Sequence, residues 1–128
     1  MKKYIVLLIV LLNSLFLSQQ SFSQNWPNKP VKVVVTLSAG STSDILARII
    51  CEQLTRNLGQ SFVVENRPGA GGNIAGEYVM HQPADGYTVM LSSISSHGIN
   101  PALYAKMPYD AINDFTPIIA IASSPNVL

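Results

Sequence analysis

The chain has 128 residues, of which 48% are hydrophobic and 12% charged, and its formal net charge is +1. That length suits one small domain rather than two. No basic cluster or long charge run occurs, which argues against a nucleic-acid partner, and the single cysteine, Cys51, cannot form an internal disulfide.

Lys2 and Lys3 precede an uncharged, mostly apolar run from Tyr4 to Leu17, and a polar Ser/Gln stretch with Ser21-Phe22-Ser23 follows. This order of charged, apolar and small-residue segments predicts a secretory signal peptide over residues 1–23, cleaved after Ser23. The apolar run falls short of the ~20 residues that a spanning helix needs. Cleavage would remove Lys2 and Lys3 and leave six basic against seven acidic residues, a formal charge of −1 over residues 24–128.

After an extended entry at Pro27–Pro30, the β-branched run Val31–Val35 predicts a buried first strand. Ser41-Thr42-Ser43-Asp44 offers a helix start, with Ser41 as N-cap and Asp44 three residues on. The helix that follows carries Ile45, Leu46, Ile49, Ile50, Leu54 and Leu58 as its expected apolar face, holds Cys51 as a packing thiol, and ends at Gly59. Ser61–Glu65 is the second expected strand. Next comes Asn66-Arg67-Pro68-Gly69-Ala70-Gly71-Gly72-Asn73, a Gly-rich turn that suits an anion or a plain tight connection equally, with Arg67 bracing the turn and Asn73 capping the next helix. A turn at Pro83–Gly86 leads to a third strand, Tyr87–Leu91, then a hydroxyl-rich loop, Ser92–Gly98, and a short helix around Pro101–Tyr104. Phe115–Ala122 reads as a fourth strand entered at Pro117, and Asn126-Val127-Leu128 as a strand-like ending.

Alternating strands and helices imply an α/β fold, a parallel sheet flanked by helices. A strand order of 2-1-3 would put the topological switch between strands one and three, so a small anionic ligand is expected at their carboxyl ends, Thr36–Asp44 and Ser92–His97. Other chemistries find less support. The adjacent Ser96 and His97 suggest a small α/β hydrolase, but there is no Gly-x-Ser-x-Gly elbow. His81, His97 and Cys51 are too scattered for a metal site, and neither a P-loop nor a dinucleotide fingerprint is present, so no cofactor is expected.

Several motifs, taken in order, carry a resemblance: Trp26-Pro27-Asn28-Lys29-Pro30, Ala39-Gly40-Ser41-Thr42-Ser43-Asp44, Glu65–Asn73, Ala84-Asp85-Gly86-Tyr87-Thr88, His97–Tyr104, Pro108-Tyr109-Asp110 and Ser124–Leu128. Their order and spacing closely resemble the substrate-binding proteins of tripartite tricarboxylate transporters, the Bug or TctC-like family. The resemblance implies a two-lobed periplasmic-binding-protein-like (type 2) receptor, not an enzyme. Such a receptor holds a small carboxylate or related amide between its lobes and delivers it to membrane permease subunits. Residues 24–128 would be its N-terminal lobe, incomplete and ending before the second lobe. By position, the ligand-binding residues would be Ser38, Ala39, Gly40, Ser41, Ser43 and Asp44 from the first loop, and Ser93, Ser96 and His97 from the second. In many relatives the first loop is Pro-Gly-Gly-rich, whereas here it reads Ser38-Ala39-Gly40-Ser41-Thr42. The competing expectation is a non-binding remnant or interaction domain of such a receptor.

Overall fold

A computed structural model describes residues 26–123. The expected signal peptide, its cleavage site and the strand-like ending at 126–128 lie outside the described residues.

Three strands form one parallel sheet in the order β2-β1-β3: β1 is Val31–Val35, β2 Phe62–Asn66 and β3 Thr88–Leu91. Val31 pairs with Phe62 and Val35 with Asn66 on one side of β1, and Val35 pairs with Leu91 on the other. The central strand is the core: Val31, Val34 and Val35 have no accessible surface. Four valines in five positions suit this place because both faces of a parallel strand are covered.

Helix α1, Thr42–Leu58, starts where the sequence predicts. Ser41 Oγ accepts the Asp44 N–H at 3.3 Å, and Gly59 ends the helix with φ of 70°, a left-handed conformation that glycine adopts without penalty. Its buried face differs from expectation. Asp44, Ala47 and Cys51 face the sheet, while Ile45 is 52% and Ile49 55% exposed and Leu58 also points outward. The helix comes close to the strands through small side chains, and this rotates the larger ones to its flanks.

The 3₁₀ turn Ala70–Gly72 and helix α2, Asn73–Met80, follow β2. Asn73 does not cap this helix. Gly72 occupies the cap position with φ of 97°, and the Asn73 side chain turns inward to bond elsewhere. After β3, the π-helical segment Ser95–Ile99 runs directly into the short helix α3, Asn100–Leu103. The expected fourth strand, Phe115–Ala122, forms no ladder among the described residues. Ile118 is 80% and Ile119 78% exposed there, and β-propensity without a packed surface makes no strand.

Candidate functional site

The carboxyl ends of β1 and β3 lie side by side, Thr36 N–H reaching Leu91 O at 3.5 Å, so the loops that leave them flank one another. An open depression of about 700 Å³ has Thr42 and Ser43 on one wall and Ser92 and Ser93 on the other, with the segment 119–123 at its margin. Both loops open onto helical starts, where unpaired N–H groups favour a negative charge.

The first loop is organised by Asp44, which is 3% exposed. Its Oδ2 accepts the Gly40 N–H at 2.9 Å and Arg48 Nε at 3.1 Å, and its Oδ1 accepts Asn66 Nδ2 and Arg48 Nη2 at 3.0 Å each. Arg48, the Gly40 amide and Asn66 together hold the carboxyl at about 2. All of its strong acceptor directions are turned inward, so Asp44 shapes the loop from behind. Ser38, Ala39 and Gly40 are exposed on the loop's outer surface, with Ser41 and Ser43 half-buried.

In the second loop Ser93 is half-buried and its Oγ has no hydrogen-bond partner among the described residues. Ser96 has no accessible surface. Its Oγ accepts the Ser93 N–H at 3.3 Å, lies 3.0 Å from Ser93 O as a donor, and lies 3.0 Å from His97 Nδ1. His97 packs edge-on against Phe115 at 4.9 Å and beside Tyr109, and burial lowers its pKa. Of these two residues expected at the ligand, Ser96 is fully buried and bonds to Ser93, while His97 is half-buried with its ring against Phe115 and Tyr109. With no accessible surface, the Ser96 hydroxyl is not presented at the depression.

Three further residues that bond to these loops are not among the expected site residues. Asn100 Nδ2 donates to Asn73 Oδ1 at 2.7 Å and to Gly71 O at 3.1 Å, and Tyr109 OH lies 2.8 Å from Ser96 O and 3.1 Å from Asn73 Oδ1. These buried polar groups satisfy one another beneath the second loop. Asn66, the half-buried last residue of β2, ties down the first loop: besides Asp44, its Nδ2 donates to Leu37 O at 3.0 Å. The Gly-rich turn held the signal, because it starts and ends with an asparagine, but only tertiary contacts reveal what each one bonds. Arg67 braces the sheet rather than its own turn, pairing with Glu65 and stacking 3.5 Å from the Tyr78 ring centroid.

A family profile described as "Tripartite tricarboxylate transporter family receptor" matches residues 46–128. A UPF0065 protein of Bordetella bronchiseptica is 38% identical over 103 residues, which cover 80% of this chain and 31% of that protein. The protein BugT of Bordetella pertussis is 35% identical over 107 residues, covering 83% and 33%. Among solved structures, R. palustris Rpa4515 with adipate superposes with a TM-score of 0.73 at 47% identity, over 76% of this chain and 32% of that one. MatC from Rhodopseudomonas palustris with bound malate gives 0.68 at 38%, over 72% and 31%. The chain thus spans about a third of the length of the relatives it matches.

Proposed function

Because this chain belongs to the tripartite tricarboxylate transporter family of receptors, we propose that it is the ligand-gripping lobe of a periplasmic solute receptor. Its ligand is a small carboxylate, and the loaded receptor serves the permease subunits of the transporter. The residues 1–23 direct export and are removed. No enzymatic step is part of this reading.

The observation that carries the proposal is the depression walled by Thr42 and Ser43 on one side and by Ser92 and Ser93 on the other. Hydroxyls and the amides of a helix start converge there, and the nearby guanidinium, Arg48, is already paired with Asp44. A carboxylate would therefore be held by neutral donors. Ser43 and Ser93 hold the ligand from within the depression, Ser38, Ala39, Gly40 and Ser41 reach it from the rest of the first loop, and Asp44, Ser96 and His97 act through the loops they support. The proteins bound to adipate and to malate support the same ligand class.

An open lobe leaves each ligand hydrogen bond in competition with water, so the chain alone binds weakly. Titrating the labelled chain with adipate and with malate, followed by amide shifts, tests the proposal. Changes confined to residues 38–44 and 92–96 are expected. Changes centred elsewhere, or none with either acid, would remove the site.

A further inference from the structure

We propose that the Asn66–Asn73 turn is the positioning bracket of the binding site, with Asn66 setting the first loop and Asn73, through Tyr109 and Asn100, setting the second. The inference rests on the two loops being the ligand-binding ones. It assigns a task to a segment that the sequence reading left as an anion cradle or a simple connection.

Each end of the turn grips a different loop. At its start, Asn66 Nδ2 donates to Leu37 O and to Asp44 Oδ1, while Asn66 Oδ1 accepts Arg48 Nη2 at 3.2 Å. One amide side chain thus ties β2 to the first loop's backbone and to the carboxylate that holds Gly40. At its end, Asn73 Oδ1 receives Asn100 Nδ2 and lies within hydrogen-bond reach of Tyr109 OH, whose oxygen is also 2.8 Å from Ser96 O. Ser96 in turn closes the Ser93 turn.

Between the two ends the backbone is wedged into the gap between the loops. A Cβ built on Gly72 would lie 3.0 Å from Ser96 Cβ and 3.1 Å from Thr36 Cβ, and one on Gly71 would lie 2.9 Å from Asn100 Nδ2. A side chain at Gly72 would crowd both neighbours, and its φ of 97° is a conformation that residues other than glycine rarely adopt. The spacing of the first and second loops is therefore set by the thickness of a bare peptide chain. Fixed spacing of donors is what distinguishes ligands of different length.

The two grips are tested separately in the intact chain. Asn66→Asp removes both donated bonds and brings a second carboxylate to Asp44. The expected result is at least about tenfold faster hydrogen exchange at the Gly40 amide and an upward shift of the Asp44 titration, with the β1 amides unchanged. Tyr109→Phe keeps the ring against its neighbours and removes the hydroxyl, and should speed exchange at Ser93 but not at Gly40. Asn66→Ala, which adds no charge, serves if the aspartate variant does not fold, with the same result expected at Gly40. Unchanged exchange at Gly40 in the folded Asn66 variant, or at Ser93 in Tyr109→Phe, would overturn the bracket. These readings need no ligand, so a failure of the parent chain to respond to adipate counts against the receptor reading alone.

Discussion

Gly76 lies under the ring of Tyr109 so closely that a methyl group at its Cα would sit 2.6 Å from Cζ and nearer still to Cε1. Tyr109 is 5% exposed and its ring also packs against Phe115 and beside His97, which leaves it little room to shift. Replacing a mid-helix glycine by alanine ordinarily stabilises by up to about 1 kcal/mol. Here overpacking, which costs roughly 1–3 kcal/mol, should outweigh that gain. Urea unfolding of Gly76→Ala is expected to show a net loss, and a gain would mean the helix and ring are not in this contact.

Asp44 predicts an acid transition with a definite sign. Its folded pKa of about 2 lies below the ordinary 3.8, so its contribution to stability is fully present above pH 3.8 and fades as the pH falls through the folded value. Melting temperatures measured between pH 5 and pH 2 should fall, and the fall should be shallower in Asp44→Asn. Equal slopes in the two proteins would show that the carboxylate is not held as described.

Ser96→Ala is expected to weaken the fold and not only ligand contact. The hydroxyl has no exposed surface, and its loss leaves the Ser93 N–H and His97 Nδ1 without this partner. An unsatisfied buried group costs about 1–3 kcal/mol. Ser41→Ala should cost about 1 kcal/mol by removing the N-cap alone. Denaturation of both variants checks the ranking; a neutral Ser96→Ala would show that these hydrogen bonds do not hold the second loop.

Residues 24–128 produced alone should self-associate. Ile112 is 83%, Ile118 80% and Ile119 78% exposed, and an apolar stretch of this kind seeks cover. Sedimentation over a range of concentrations should show species larger than the monomer, reduced by Ile118→Asp combined with Ile119→Asp. A parent that stays monomeric throughout would contradict this.

Export is checked at the N-terminus. Protein recovered from the periplasm of an expressing bacterium is expected to begin near Gln24, and recovery only of uncleaved, membrane-integrated chain would exclude the leader assignment.

The order of elements and the sheet order were legible in the residues because they depend on local, repeating signals. Five successive positions with four valines specify a strand buried on both faces, Ser41 and Gly59 mark the ends of α1, and parallel βαβ crossovers leave few ways to arrange three strands. The family resemblance was equally legible, since ordered motifs survive in sequence whatever the tertiary contacts. Other features depended on the third dimension. The outward turn of Ile45 and Ile49, the inward turn of Ser96 and Asp44, and the absence of a ladder at Phe115–Ala122 depend on what each side chain meets. Asn66 and Asn73 show the limit most plainly. An asparagine in a Gly-rich turn reads as turn chemistry, because its sequence neighbours are all that local reasoning can consult. Its actual partners, Leu37 and Asp44 for one and Asn100 and Tyr109 for the other, are brought within hydrogen-bond reach only when the parallel strands align and the loops that leave them pack together.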